Sequence, residues 1–501
     1  MNNTFLSMLQ NLTFENIGNW LTYNPKEPLI FSSVLFFVVF LLFFLVYQAI
    51  QKKINLRIYY VTIFSLYFYY KSSGAYFGLL IFSSIVDFYL GKLIYETKEK
   101  AKRKLYLIIS LVINLGLLAY FKYTNFFIDN INQILESNFA FQDIFLPIGI
   151  SFFTFQTMSY SIDLYRKEMK PAESFWDFLF FVSFFPQLVA GPIVRAADFI
   201  PQIRGKYFVT KENFNRAFVL IIGGLFKKAV IADYISINFV DRVFDSPMLY
   251  SPFENLMAVY GYTIQIYCDF SGYSDMAIGL ALLLGFTLPE NFRTPYNSFS
   301  ITEFWRRWHI SLSSWLRDYL YISMGGNRKG TMRTYMNLFM TMFLGGLWHG
   351  AAWKFVFWGA GHGIALIYEK LCKNYNLVLP KNRFTKPIFW LLTFHFVAFL
   401  WIYFRADSFK TALDIVTNIT QIANDFSIQN ALEIVEGYKY VFILIGIGYF
   451  LHFMPVRFLE KLENMHNSLP WYGKSAILGG LCWLVYVVAS SEIQPFIYFQ
   501  F

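Results

Sequence analysis

Two histidines in this chain stand directly after tryptophans, in the pairs Trp308-His309 and Trp348-His349. The first pair lies in a charged, aromatic stretch, SITEFWRRWHISLSSWLRDYL. The second lies in an apolar one, GGLWHGAAWKFVFWGAGHG, with no carboxylate among its near neighbours. Ionisable groups within membrane-length apolar sequence are costly to bury and are functional suspects for that reason. Small residues on both sides of His349 leave room for a narrow chain to approach the ring. A neutral imidazole there can act as a general base, a role worth typically about 10²–10⁴ in rate. The competing role is a core histidine hydrogen-bonded to a backbone carbonyl, and spacing does not separate the two. His362, in GAGHG, could line the same space, whereas His395, His452 and His466 have no comparable setting and are expected to be structural.

The elements around these rings follow from periodicity. On a helix from Phe304 to Tyr321, Trp305, Trp308, Leu312, Trp315 and Tyr319 fall on one stripe, with His309 at its edge. Glu303 and Arg307 are spaced i,i+4, and Arg307, Ser311, Ser314 and Asp318 continue a polar face, as suits an interfacial helix on the cytoplasmic side. The loop GGNRKG that follows supplies flexible backbone, Asn327 and the cations Arg328 and Lys329. Such a loop could bind an anionic donor, although glycines beside basic residues are not specific to that use.

Composition sets the class. The 501 residues are 56% hydrophobic, 21% aromatic and only 15% charged, too little charge to cover a soluble surface. Apolar runs of roughly 17–25 residues, the length that spans a bilayer as helix, recur throughout. The fold class expected is an all-α polytopic membrane protein. The formal charge of +10 sits in short loops between apolar runs, which is the cytoplasmic-loop pattern and not that of a nucleic-acid binder. Cys268, Cys372 and Cys482 are far apart and suggest neither a disulfide framework nor a metal site. No basic n-region or small-residue cleavage site opens the chain, so insertion is expected to use the first apolar span.

Residues 1–28 are polar and mildly amphipathic (Phe5, Leu6, Met8, Leu9, Leu12) and suit an interfacial helix. Spans are expected at Leu29–Ala49, Tyr76–Ile94 and Leu105–Tyr120, with a shorter run at Ile58–Tyr70; Lys52, Lys53, Arg57 and the loop ETKEKAKRK mark the cytoplasmic side. Leu146–Glu168 carries Gln156, Ser159, Ser161 and Asp163 among aromatics: hydroxyl glue between helices, or the wall of a cavity. The segment DFLFFVSFFPQLVAGPIVR is broken by Pro186, Gly191 and Pro192 and reads as re-entrant. Lys227 and Lys228 lie inside an apolar helix, where snorkelling to the interface is favoured over contact with an anionic donor. Asp269 and Asp275 flank a Ser-Gly-Tyr-Ser interruption in a span and are expected to pair with Arg306, Arg307 or Arg317. Further spans are expected at Pro387–Phe404, Tyr438–Phe453 and Ala476–Ala489, with an amphipathic segment at Ser408–Ile422 and an aromatic tail, Phe496–Phe501. The total is about ten to twelve membrane segments, with residues 29–501 as a single membrane domain.

These blocks, among them PIGISFFTFQTMSYSIDLYR, SFFPQLVAGPIVR, GLFKKAVIAD, IYCDFSGYSDMAIG, LPENFRTPYNSFSITEFWRRWHIS and GGLWHGAAWKFVFWG, resemble the bacterial membrane-bound O-acyltransferase family, most closely its alginate and peptidoglycan O-acetyltransferase membrane subunits. The resemblance runs from about residue 29 to 501 and implies a helical bundle with re-entrant segments around a central tunnel. It also implies acyl transfer across the bacterial inner membrane from a cytoplasmic thioester, acetyl-CoA, toward an extracytoplasmic polysaccharide acceptor. A separate SGNH-type acetyltransferase is the implied protein partner, with membrane lipid as surroundings and no bound cofactor. His349 matches the family's catalytic histidine and His309 its second. On that basis Trp308, Trp348, Arg306, Arg307, Asn327, Arg328, Lys329, His362 and Gln156 are candidates for substrate contact, the cations for the donor's phosphates.

Other readings remain at this stage. D-alanyl or fatty-acyl transfer would use the same fold with a different acyl group. A secondary transporter would account for broken helices and buried carboxylates without catalysis, although no internal repeat is visible.

Overall fold

The computed structural model describes residues 14–25, 28–377, 380, 382–455, 465, 468–488 and 496. His466, the tail 497–501 and the N-terminal apolar residues Phe5 to Leu12 lie outside the described residues. A short helix, Phe14–Leu21, occupies part of the segment expected to be interfacial. Among the described residues every regular element is helical. Among the described residues, three helical stretches are able by length and composition to cross a bilayer, Ile54–Glu96, Lys100–Leu135 and Thr385–Arg405. A bent pair, Ile428–Gly437 with Lys439–Phe453, makes a fourth if counted as one span. That is fewer than ten to twelve; two helices, the apolar Val34–Ile50 and Ile150–Arg166, are 17 residues long and fall just short of a span.

The chain divides into two compact units, each discontinuous in sequence. The first comprises 1–221, 273–289 and 491–500. Its helices are α1 (Val34–Ile50), α2 (Ile54–Ser73), α3 (Phe77–Glu96), α4 (Lys100–Leu118), α5 (Ile150–Arg166) and α6 (Phe175–Ser183). Helices α3, α4 and α5 are joined by a buried polar network centred on Asp87. Ser110 and Asn114 of α4 donate to the two Asp87 oxygens at 2.5 and 2.7 Å. The Ser161 hydroxyl of α5 donates to Ser110 Oγ at 2.9 Å, and Thr157 donates to Asn114 at 2.9 Å. The hydroxyls of α5 thus serve as interhelical glue. Gln156 differs: it is buried, and its amide meets no hydrogen-bond partner among the described residues.

The proline-broken segment is broken as expected. Ser174 and Asp177 close a capping box at the start of α6. The helix stops at Ser183, and a short turn, Phe185–Leu188, follows. The Phe185 N–H donates to Ser65 Oγ of α2 at 3.1 Å, so protein side chains satisfy backbone that the break releases.

The second unit comprises 222–272, 290–490 and 501. Helix α7 (Pro252–Leu283) is continuous through the Ser-Gly-Tyr-Ser stretch, where an interruption was expected. Glycine and serine there do not break the helix, since nothing forces a positive φ; Gly272 is small because an added Cβ would press on the Gly224 carbonyl at 2.7 Å. The Lys228 ammonium does not snorkel. It is 3% exposed and bridges Asp233 at 2.7 Å and Asp269 at 2.6 Å. Asp269 is therefore held by Lys228 rather than by Arg306, Arg307 or Arg317; Arg307 pairs locally with Glu303 at 2.8 Å and Arg317 with Asp318 at 2.6 Å. Buried charge is tolerable only where paired, and this pairing spans 41 positions that spacing alone could not link. Three later helices match expectation closely: α12 (Thr385–Arg405), Phe409–Thr420 capped by Ser408, and Lys439–Phe453. Trp471–Val488 begins five residues before the expected Ala476, and the expected end, Ala489, lies outside the described residues.

Candidate active site

The segment 300–321 is not one helix. It forms α8 (Ile301–Trp305), then α9 (Ile310–Trp315), which continues as a wider π turn over Leu316–Tyr321. His309 is the junction, with φ +43°, a left-handed conformation that costs a non-glycine residue energy. The expected stripe is nonetheless buried: Trp305, Trp308, Leu312, Trp315 and Tyr319 are all inside. The break is held by a strap, residues 290–294. Ile310 N–H donates to the Asn291 carbonyl at 3.0 Å, and Arg293 N–H to the Arg307 carbonyl at 2.9 Å. The His309 ring is fully buried, edge-on to Phe270 at 4.6 Å between centroids, with Nδ1 3.1 Å from Asn291 Oδ1.

His349 ends α10 (Thr331–His349), and a three-residue turn leads into α11 (Trp353–Asn374). The two helices meet backbone to backbone at Gly346 and Gly359. A Cβ on Gly346 would lie 3.0 Å from the Gly359 Cα, and one on Gly359 would lie 2.9 Å from the Gly346 Cα. This contact brings His349 against Trp358, ring centroids 5.0 Å apart and nearly perpendicular. Phe404 of α12 closes another side at 5.3 Å, and His349 is 4% exposed.

Trp348 links the two histidines. Its indole lies 5.0 Å from the His349 ring and 6.3 Å from the His309 ring. His362 joins the same cluster, 4.9 Å from Trp358, and its Nδ1 accepts a hydrogen bond from Trp305 Nε1 at 3.3 Å. An indole nitrogen only donates, so a neutral His362 carries its proton on Nε2. Trp308 is 1% exposed and packs between Phe304 and Trp401.

The structure therefore gathers His309, His349, His362, Trp308 and Trp348 into one aromatic cluster. Arg306, Asn327, Arg328 and Lys329 are exposed, and Arg307 is engaged with Glu303. Gln156 belongs to the other compact unit. His395 and His452 have backbone partners: His395 Nδ1 donates to the Leu391 carbonyl at 2.8 Å, and His452 Nε2 accepts from the Tyr296 N–H at 3.1 Å. Sequence reasoning passed over Asn291, Phe270, Trp358 and Phe404. The signal for Asn291 was its place in LPENF, shortly before the first Trp-His pair.

The cluster offers imidazoles for proton transfer in surroundings that exclude water, and among the described residues no three His, Cys, Asp or Glu side chains are grouped as metal ligands would be. Comparison with known proteins agrees with acyl-transfer chemistry. The sequence profile of the membrane-bound O-acyltransferase family matches residues 11–406. The chain is similar to a peptidoglycan O-acetyltransferase of Helicobacter pylori, 38% identical over 420 residues, covering 77% of this chain and 79% of that protein. It is 41% identical over 393 residues to a probable alginate O-acetylase AlgI of Pseudomonas putida, again 77% and 79% of the two chains. A teichoic acid D-alanyltransferase of Bacillus subtilis is 31% identical over 281 residues, 52% of this chain and 69% of that one. A transporter is thereby set aside: this chain belongs to the membrane-bound O-acyltransferase family and is an acyltransferase.

Proposed function

We propose that this enzyme takes an acetyl group from acetyl-CoA on the cytoplasmic side of the bacterial inner membrane and passes it across for O-acetylation of an extracytoplasmic polysaccharide. Peptidoglycan or an alginate-like exopolysaccharide is the acceptor class, reached through a separate SGNH-type acetyltransferase. We take residues 29–501 as one membrane domain of ten to twelve segments. The observation that carries the reading is the meeting of His309 and His349 on the single indole of Trp348. The names of the relatives at 38% and 41% identity support acetyl as the group moved.

In this mechanism His349 removes the proton from an acceptor hydroxyl, whose oxygen attacks the thioester carbonyl carbon. The C–S bond breaks, the acetyl group stays on the acceptor oxygen, and the departing thiolate recovers the proton from His349. His309 orients the donor. The exposed Arg306, Asn327, Arg328 and Lys329, together with Arg307, hold its phosphates, and His362 and Trp308 line the path. General-base removal is worth about 10²–10⁴ in rate. His349→Ala is expected to abolish acetyl-CoA consumption by washed membranes while the protein stays at wild-type abundance; retained turnover would refute the assignment. D-alanyl transfer is the second reading, favoured only by the 31% relative. It predicts that acetyl-CoA is not consumed and that a D-alanyl thioester is.

A further inference from the structure

We infer that Asn291 is a positioning residue that fixes the tautomer of His309, and this rests on the role proposed for His309 above. Three groups converge on Asn291 Oδ1: the Ser311 N–H at 3.3 Å, the Ser311 Oγ at 2.9 Å and His309 Nδ1 at 3.1 Å. A backbone N–H can only donate, so the Asn291 atom it meets is the amide oxygen and not the nitrogen. That oxygen can only accept. His309 Nδ1 must therefore carry a proton, and a neutral His309 has its lone pair on Nε2.

The same residue holds the backbone of the junction, because the Asn291 carbonyl accepts from the Ile310 N–H at 3.0 Å. Side chain and main chain of one asparagine thus fix the ring's tautomer and anchor its left-handed hinge, φ +43°. Strain of this kind persists only where the surroundings over-determine it. The Phe270 edge at 4.6 Å limits rotation of the ring. His309 is thereby assigned as a hydrogen-bond acceptor through Nε2 and not as a donor from its neutral form.

The test uses the full-length protein labelled with 15N-histidine in detergent. The resonance that disappears in His309→Gln is expected to show an Nδ1–H, Nε2-unprotonated imidazole; an Nε2–H pattern overturns the assignment whatever the activity. In acetyl-CoA turnover, Asn291→Leu is expected to lower kcat with KM within about twofold. The loss should be on the order of 10²–10⁴, since a wrong histidine tautomer at a catalytic triad costs about 10⁴. Asn291→Asp, which keeps an acceptor oxygen, is expected to restore most of the rate. Wild-type kcat in Asn291→Leu overturns the proposal. If His309→Gln itself turns over normally, the role of His309 in the proposed function fails instead, and the NMR result still decides the tautomer.

Discussion

Replacing Gly359 by alanine should disable the site without touching a polar atom. The new Cβ would stand 2.9 Å from the Gly346 Cα and also press on the Met342 carbonyl oxygen. Carbon atoms rest at about 3.5–4.0 Å, so α10 and α11 must separate by somewhere near 1 Å at their crossing. Overpacking of this kind costs about 1–3 kcal/mol. The rate should suffer more, because His349 and Trp358 sit on opposite sides of that crossing with ring centroids 5.0 Å apart. A shift of about 1 Å at a catalytic group costs about 10²-fold. Turnover of acetyl-CoA by purified Gly359→Ala is thus expected to fall about a hundredfold, with the melting temperature lowered. Gly116→Ala in α4 is the control, because nothing lies within 4 Å of its added Cβ. Helix propensity alone should then raise stability by up to about 1 kcal/mol. A Gly359→Ala enzyme as fast as wild type would show either that the hairpin yields freely or that His349 takes no part in turnover.

Three further outcomes follow from the packing. Lys228→Met leaves buried Asp269 and half-buried Asp233 without their shared cation and is expected to cost about 3–5 kcal/mol, read as a lower melting temperature; the additional change Asp269→Leu should recover part of it. Asp87→Ala strands the Ser110 and Asn114 donors and is expected to destabilise by about 1–3 kcal/mol per orphaned group, whereas Asp87→Asn should cost less, as thermal melts of both would show. Neutralising Arg306, Arg328 and Lys329 together with glutamine is expected to raise KM for acetyl-CoA and flatten its salt dependence while kcat changes little; an unchanged KM would remove that loop from donor binding.

Much of this was visible in the sequence where local pattern decides the outcome. Uninterrupted apolar runs bounded by charge gave α12 and Lys439–Phe453 nearly to the residue, and Ser408 announced its helix by capping it. The Trp-His pairs were conspicuous because imidazoles seldom occur in such surroundings. What stayed hidden depends on contacts distant in the chain. Periodicity gave the right buried stripe through Trp305, Trp308 and Leu312, yet it could not see that a strap at 290–294 bends the backbone at His309. Nor could it foresee that Lys228 would turn inward, since its second carboxylate arrives from α7. Continuity of α7 was missed for the opposite reason: Ser-Gly-Tyr-Ser reads locally as a break, and only the neighbouring Gly224 carbonyl explains the small residue.

The Asp87 network bears on how the chain enters the bilayer. An aspartate in an isolated apolar helix costs about 2.5–3.5 kcal/mol to insert at mid-depth, and the hydrogen bonds that hold Asp87 here come from outside α3. Its donors, Ser110 and Asn114, arrive with the very next helix. The short connection between α3 and α4 lets both leave the translocation machinery as a hairpin already hydrogen-bonded, after which Ser161 and Thr157 dock α5 onto a surface prepared for them. Assembly of the first unit is thus written into the order of its helices.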